Sequence, residues 1–421
     1  MANEPDVREL ARRAASAPED HGAWLALAQA QAKAKAIDDA TVSFWRARAT
    51  GADVAVCRDG LKALNAETSA WSSVDCNSRC TRSALTVGPR SAAVLARHRH
   101  MGPKTVPVII EDGTLIFCGG GSETLLDGRT LEVKQTRKAP TPECRGPVFG
   151  PRGLLLYIEK GGLHASTGNW STLLIERPDC VNVVSDHRGR VVLSAEGGRK
   201  VVVLSDELTV SAEFDVPAPA TRMILRGFEI VVGTDSGLFA YDFAGSPRHQ
   251  YPGLATGSRD KVRLTGYLGD GHFRDLAYYE EGNDRWSVVH DRIQGKLGWT
   301  VRLGPGELAS YAESPDGTAV YVLWNDGDAR TRLLRIDKNG LVAWSVNTRK
   351  RTPGSIVLDK EGVVYFAGEK GLLGLAPNGR PVLELNEPGV PVALDAWGRL
   401  LLIRDDWELS LVGEHEKKAP A

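Results

Sequence analysis

The residues with the most evident ligand chemistry are two cysteines and two histidines: Cys76, Cys80, His98 and His100. Thiolate and imidazole are the donors zinc prefers, and a site built from them would clip two parts of the chain together. The spacing argues against it. Three residues separate the cysteines, and a His-x-His pair presents both rings to one side only on a regular strand. These four read as reduced thiols and solvated histidines, with the zinc clip as the alternative. A second concentration of titratable groups, His272, Asp275, His290 and Asp291, reads as turn and edge residues unless a pocket at an axis gathers them. Asn325-Asp326-Gly327-Asp328 opens like a calcium loop but lacks the distal bidentate Glu. Gly119-Gly120-Gly121-Ser122 has no following Lys for a phosphate, and Gly233-Thr234-Asp235-Ser236-Gly237 does not match a nucleophile elbow. All three read as tips between strands. No catalytic constellation results, and no cofactor is expected.

The elements that carry these residues fall into two compositions. Residues 1–66 hold 19 alanines and 3 of the 45 glycines, so 45 − 3 = 42 glycines lie in the remaining 355 residues. The alanine-rich part breaks into helices over about 5–17, 21–35, 38–50 and 53–65, interrupted by Pro18 and Gly51. Within it Trp24, Leu27, Ala28, Ala40, Phe44 and Ala47 fall at the spacings of the tetratricopeptide repeat, which this hairpin resembles. The small residues let two helices approach while Trp24 and Phe44 fill the seam. Gln31 stands where that family has an aromatic, and Ala52 where it has Pro. Such arrays need about three repeats to stand alone, so the helices are expected to lean on the rest of the protein or on a partner.

The long remainder repeats. A turn ending in glycine precedes an apolar run at Gly113, Gly153, Gly189, Gly227, Gly271, Gly317, Gly362 and Gly398, spaced by 40, 36, 38, 44, 46, 45 and 36 residues. These intervals suit four-stranded propeller blades of roughly 40 to 45 residues. The expected fold is mainly β: an eight-bladed β-propeller, with seven blades as the alternative, preceded by the small all-α hairpin unit. The last unit stops one strand short, so residues 84–96 are expected to supply its missing strand and close the ring. The expected organisation is 1–66 helical, 67–82 linker, 83–413 propeller and 414–421 a frayed tail.

Three units close on a common phrase: residues 335–344 ending in Trp344, residues 290–299 ending in Trp299, and the weaker residues 374–383. They resemble the Asp-turn-Gly-Lys-x-x-Trp phrase of quinoprotein-like (PQQ-type) β-propellers, strongly in the fifth to seventh units. The resemblance implies that Trp299 and Trp344 dock one blade onto the next, and it implies the fold more than the quinone: no adjacent cysteine pair is present.

Charge narrows the function. Lys+Arg 52 against Asp+Glu 53 gives 52 − 53 = −1, so no global field draws the protein to nucleic acid or an anionic membrane. With 42% hydrophobic and 25% charged residues, and no apolar run near 18 residues, a soluble globular chain is expected. The acidic start and six irregularly spaced cysteines point to the cytoplasm. A non-catalytic protein-binding scaffold is the expected role, with other proteins as partners and a bacterial signalling or defence assembly as its setting. The alternative is an enzyme or small-ligand receptor using the central channel.

Overall fold

Four aspartates and asparagines at the right places punctuate the N-terminal helices. Asp6 caps α1 (Val7–Ser16), Asp20 caps α2 (His21–Lys33) through the N–H groups of Gly22 and Ala23, and Asp53 caps α4 (Val54–Leu64). Asn65 ends α4 in the left-handed conformation. Only α3 (Ile37–Ala49) starts without a side-chain cap, and Asp38 and Asp39 in its first turn favour that end electrostatically. The computed structural model describes residues 6–67, 69–71, 82–99, 107–110, 112–119, 122–138, 145–150, 153–159, 162–166, 171–177, 179–186, 188–234, 236–252, 263–269, 272–281, 285–292, 297–326, 330–348, 354–404 and 408–414.

The glycine-punctuated body forms antiparallel sheets in chain order. Four strands make each of six sheets, and one run of seven strands spans residues 263–347. The middle strand of that run, Leu297–Glu313, pairs through its first half with Arg285–Arg292 and through its second half with Ala319–Asp326. Divided there, the run becomes two four-stranded units. First strands of successive sheets touch one another, for example Asn182–Ser185 with Ala220–Arg226 and Ile356–Leu358 with Val390–Leu394, and so form the inner wall of a ring. The second strand of a unit is typically buried at every position, as in Leu155–Glu159, Val191–Ala195 and Ala319–Asp326. Such strands pack against neighbours on both faces and are therefore apolar without alternation.

The turn before each second strand explains the recurring glycine. In the third, seventh and eighth units an aspartate (Asp186, Asp359, Asp395) accepts from the N–H groups two and four residues on. The residue three on is glycine at positive φ, from 74° to 76°, which glycine alone adopts without cost. Two of these turns carry a clasp. Arg190 binds Asp186 and donates to the carbonyl of Gly227 in the next unit; Arg399 binds Asp395 and donates to that of Gly128.

The ring closes with an N-terminal strand, shifted from the expected position. Ala93–Arg99, rather than residues 84–96, lies against Glu408–Gly413, from Ala93 opposite Gly413 to Arg99 opposite Glu408. Residues 82–90 do something else. They run as a strap along the inner wall, where Ala84 and Leu358 exchange main-chain bonds with Leu358 and Arg82, and then cross outward between the turns of the seventh and eighth units.

Candidate functional site

The helices do not stand free. They sit on the face formed by the glycine turns, and Ala396, Leu85 and Trp397 join their apolar core. Trp24, Leu27, Ala28, Ala40, Phe44 and Ala47 are all buried. The seam differs from the expectation in detail. Trp24 faces the ring, meeting Trp397 edge-on with centroids 5.6 Å apart. Phe44 instead lies against α4, where only the bare Cα of Gly60 leaves room for its ring. Gln31, in the place of an aromatic, accepts a 2.7 Å hydrogen bond from Ser43 and so ties α2 to α3.

Arg46 is the centre of this junction. Its guanidinium lies 4.9 Å from the Trp24 ring and 5.2 Å from the Trp397 ring, and its Nε donates to the Ala396 carbonyl at 2.9 Å. Burial loosens its proton, and the nearby Asp395 carboxylate offsets part of that. A cation stacked between two aromatic faces keeps much of the stabilisation that water would supply. Around it, polar contacts spread over the ring: Glu19 with Arg129, Asp39 with Lys360, and Asn65 with Arg188.

The strap is held by a second buried group. Asp359, fully buried, pairs with Arg90 at 2.6 Å and accepts from Gly88 N–H and the Tyr365 hydroxyl. Burial raises the Tyr365 hydroxyl's pKa, and Asp359 adds to the effect. Burial alone would loosen the proton on Arg90, but its bonds to Asp359 and Glu361 outweigh this and hold it charged. Arg82 donates to the hydroxyls of Ser310 and Ser355 on the inner wall. Between helices, strap and turns lies an open crevice of about 890 Å³, bounded by Pro18, Val87, Pro89, Leu95, Arg129 and Trp397.

The expected ligand residues are not brought together. Cys76, Cys80 and His100 lie outside the described residues. His98 sits half-buried on the closing strand, its pKa lowered by that burial. Among the described residues no group of three or more His, Cys, Asp or Glu is placed to hold a metal ion. Asp275 lies opposite Asp291 and Leu276 opposite His290, on the second and third strands of their sheet and not on the innermost strand, Arg263–Gly269. Thr234 and Gly237 close a hairpin, and Asp326 ends a strand, paired with Arg332 at 3.2 Å.

Trp299 and Trp344 join neighbouring units. The Trp299 indole donates to the Lys338 carbonyl at 3.0 Å, and that of Trp344 to the Pro377 carbonyl at 2.8 Å. Each ring rests on a positive-φ glycine of the next turn, Gly340 and Gly379. Phe214 does the same against Gly245, a contact the phrase matching missed because the residue is not tryptophan. The Asp186/Arg190 and Asp395/Arg399 pairs share one spacing and were legible in principle. Arg46, Trp397 and the strap carry no periodic signal.

No protein-family model matches this chain, and no curated protein matches it by sequence. Solved structures do match. BamB from Moraxella catarrhalis is 15% identical over 77% of this chain and 100% of that one, with a TM-score of 0.51. Sqt1 of Saccharomyces cerevisiae is 14% identical over 78% and 99%, at 0.53. The dihydro-heme d1 dehydrogenase NirN is 18% identical over 68% and 66%, at 0.52. Likeness at these identities is likeness of fold. The chain is a β-propeller protein with four N-terminal helices, and its repeats resemble the PQQ-like type. No described helix is long and apolar enough to cross a membrane.

Proposed function

We propose that this protein is a non-catalytic scaffold that binds other proteins. The observation that carries the reading is the docking of the helices. A tetratricopeptide-like hairpin normally offers its aromatic side to a partner, but here Trp24 and Arg46 are engaged by Trp397 and Ala396 of the ring. The helical unit (1–66), the linker (67–82) and the ring (83–413) then act as one rigid body, with 414–421 as a tail. Its free surfaces are blade edges and loops. Propeller folds serve many tasks, so the fold supports this reading only by analogy. We place the protein in the cytoplasm, as one component of a bacterial signalling or defence assembly, without nucleic-acid or membrane partners.

The rival reading, an enzyme or ligand receptor at the channel, needs titratable groups converging on the axis. His272, Asp275, His290 and Asp291 sit on second and third strands, which disfavours it. Affinity capture from the native host, followed by mass spectrometry, should recover a specific protein partner at stoichiometric levels. A clean monomer with no partner, together with turnover of a small molecule, would overturn the proposal.

A further inference from the structure

The outer edges of the sheets differ in how they are guarded. A strand edge exposes unpaired N–H and C=O groups, and proteins blunt it with charge or proline. Ala93–Arg99 carries Arg97 and Arg99, Val133–Lys138 carries Lys134, Arg137 and Lys138, and Val210–Asp215 carries Glu213 and Asp215. Pro247–Pro252 has proline at both ends, and Pro381–Leu385 begins with one and contains Glu384. Ser171–Glu176 ends on a glutamate. Val342–Asn347 (Val-Ala-Trp-Ser-Val-Asn) has neither charge nor proline. It is the last strand of its sheet, Val342 is 47% exposed, and Leu341 just before it is 65% exposed. Six residues of bare edge are enough to template another strand.

The surroundings of this edge say what would cover it. Residues 330–351 contain seven Lys and Arg and one Asp, 7 − 1 = +6, within a chain whose net charge is −1. Arg330 and Lys338, both exposed, flank the neighbouring strand Thr331–Asp337 at its two ends. Arg332 is paired to Asp326, and the Asp337 carboxylate is engaged by the N–H groups of Asn339 and Leu341, so the acids nearby are already occupied. Beyond Thr348 the sequence continues into Arg349-Lys350-Arg351. A second copy of the chain would set two such basic stretches side by side, which repel. Nucleic acid or an anionic membrane would satisfy the charge but not the row of main-chain groups, which only another peptide backbone pairs in register.

We infer that the edge Val342–Asn347 is a docking site for an acidic, extended segment of a partner protein, which adds to the sheet as a further strand. The inference rests on the scaffold reading and specifies its surface. Main-chain bonds supply the pairing, the apolar Leu341 and Val342 meet alternate side chains of the segment, and the basic flanks select acidic sequences.

The probe is a labelled ten-residue peptide alternating Glu with Val or Thr, titrated into the full chain and followed by fluorescence anisotropy. Beside it run the same pattern with Lys for Glu, a single-stranded DNA of equal length, and vesicles of phosphatidylcholine containing phosphatidylglycerol. The Glu peptide should bind saturably and more weakly as salt rises, and the Lys peptide should not bind. Ser345→Glu, at an exposed position, should weaken binding at least about tenfold, and Ser345→Ala should stay within about twofold. Ser345→Pro, tolerated on an edge strand, is the second variant, and unchanged melting midpoints confirm that all three fold. Absence of Glu-peptide binding, equal binding by wild type and Ser345→Glu, or binding of DNA or vesicles alone overturns the inference. Affinity capture from the host separates this from the parent reading. A partner recovered equally by wild type and Ser345→Glu sinks the edge and leaves the scaffold standing; no partner in either sinks the scaffold.

Discussion

Trp344 and Trp397 sit about fifty residues apart, and each holds two parts of the molecule together, but they do so in opposite ways. Trp344, like Trp299, reaches from an outer strand to the turn of the next unit, 33 residues on. That contact repeats around the ring, and each instance joins only neighbours. Trp397 lies in a turn itself and receives Trp24 and Arg46 from the far end of the chain, with Arg46 350 residues away. Cohesion of the ring is thus spread over many similar seams, as expected of repeat proteins. Attachment of the helices depends on one cluster with no second copy.

That contrast predicts unequal costs. Trp24→Ala removes a side chain only 5% exposed and should cost about 3–5 kcal/mol in urea unfolding, with hydrogen exchange rising across α2 and α3 before the sheets. Trp344→Ala, at a half-buried position, should cost about 2 kcal/mol and leave the helices protected. Equal costs, or helices that loosen in both variants, would erase the distinction. Gly340→Ala meets both a φ of 82° and the Trp299 ring at 2.8 Å, and should cost about 1–2 kcal/mol, sharpening the view that the seam is a ring lying on a bare turn. A double-mutant cycle of Arg46→Ala with Trp397→Ala should give a coupling of about 0.5–2 kcal/mol. The same cycle between Arg46 and Trp344 should give none.

The seam between the first and second units offers the smallest effect. Glu123 is buried beside Arg137 and Ser166. Burial raises its pKa above the ordinary 4.5, with Arg137 opposing. A carboxyl whose folded pKa is raised stabilises the fold below its unfolded pKa, and that contribution is lost as pH rises through the folded value. Glu123→Gln should therefore flatten the decline of the melting midpoint above pH 4.5, and an unchanged slope would show that Arg137 fully compensates.

Much of this was legible before any fold was known. The glycine spacing exposed the units because each turn needs one residue at positive φ, and the four helices announced themselves by alanine content, Pro18 and Gly51. The closing strand was placed about six residues early: Ala84 and Thr86 are as apolar or β-compatible as Ala93 and Val94, and nothing local separates an inner-wall strap from an outer edge. The four expected metal-ligand residues drew attention by type alone. Arg349-Lys350-Arg351 passed as a solvated loop because its charge acquires meaning only beside an unguarded edge.

The repeat, the turn chemistry and the helix boundaries were thus determined by the sequence itself, since each depends on residues a few positions apart whose conformational preferences are local. Tertiary structure alone decided that Trp24 faces the ring and not only its own hairpin, that Arg46 is stacked between two tryptophans, and that the strap follows the inner wall. Those contacts join residues up to 373 positions apart, 397 − 24. Their energies come from burial and stacking between surfaces that are adjacent only once the chain has closed on itself.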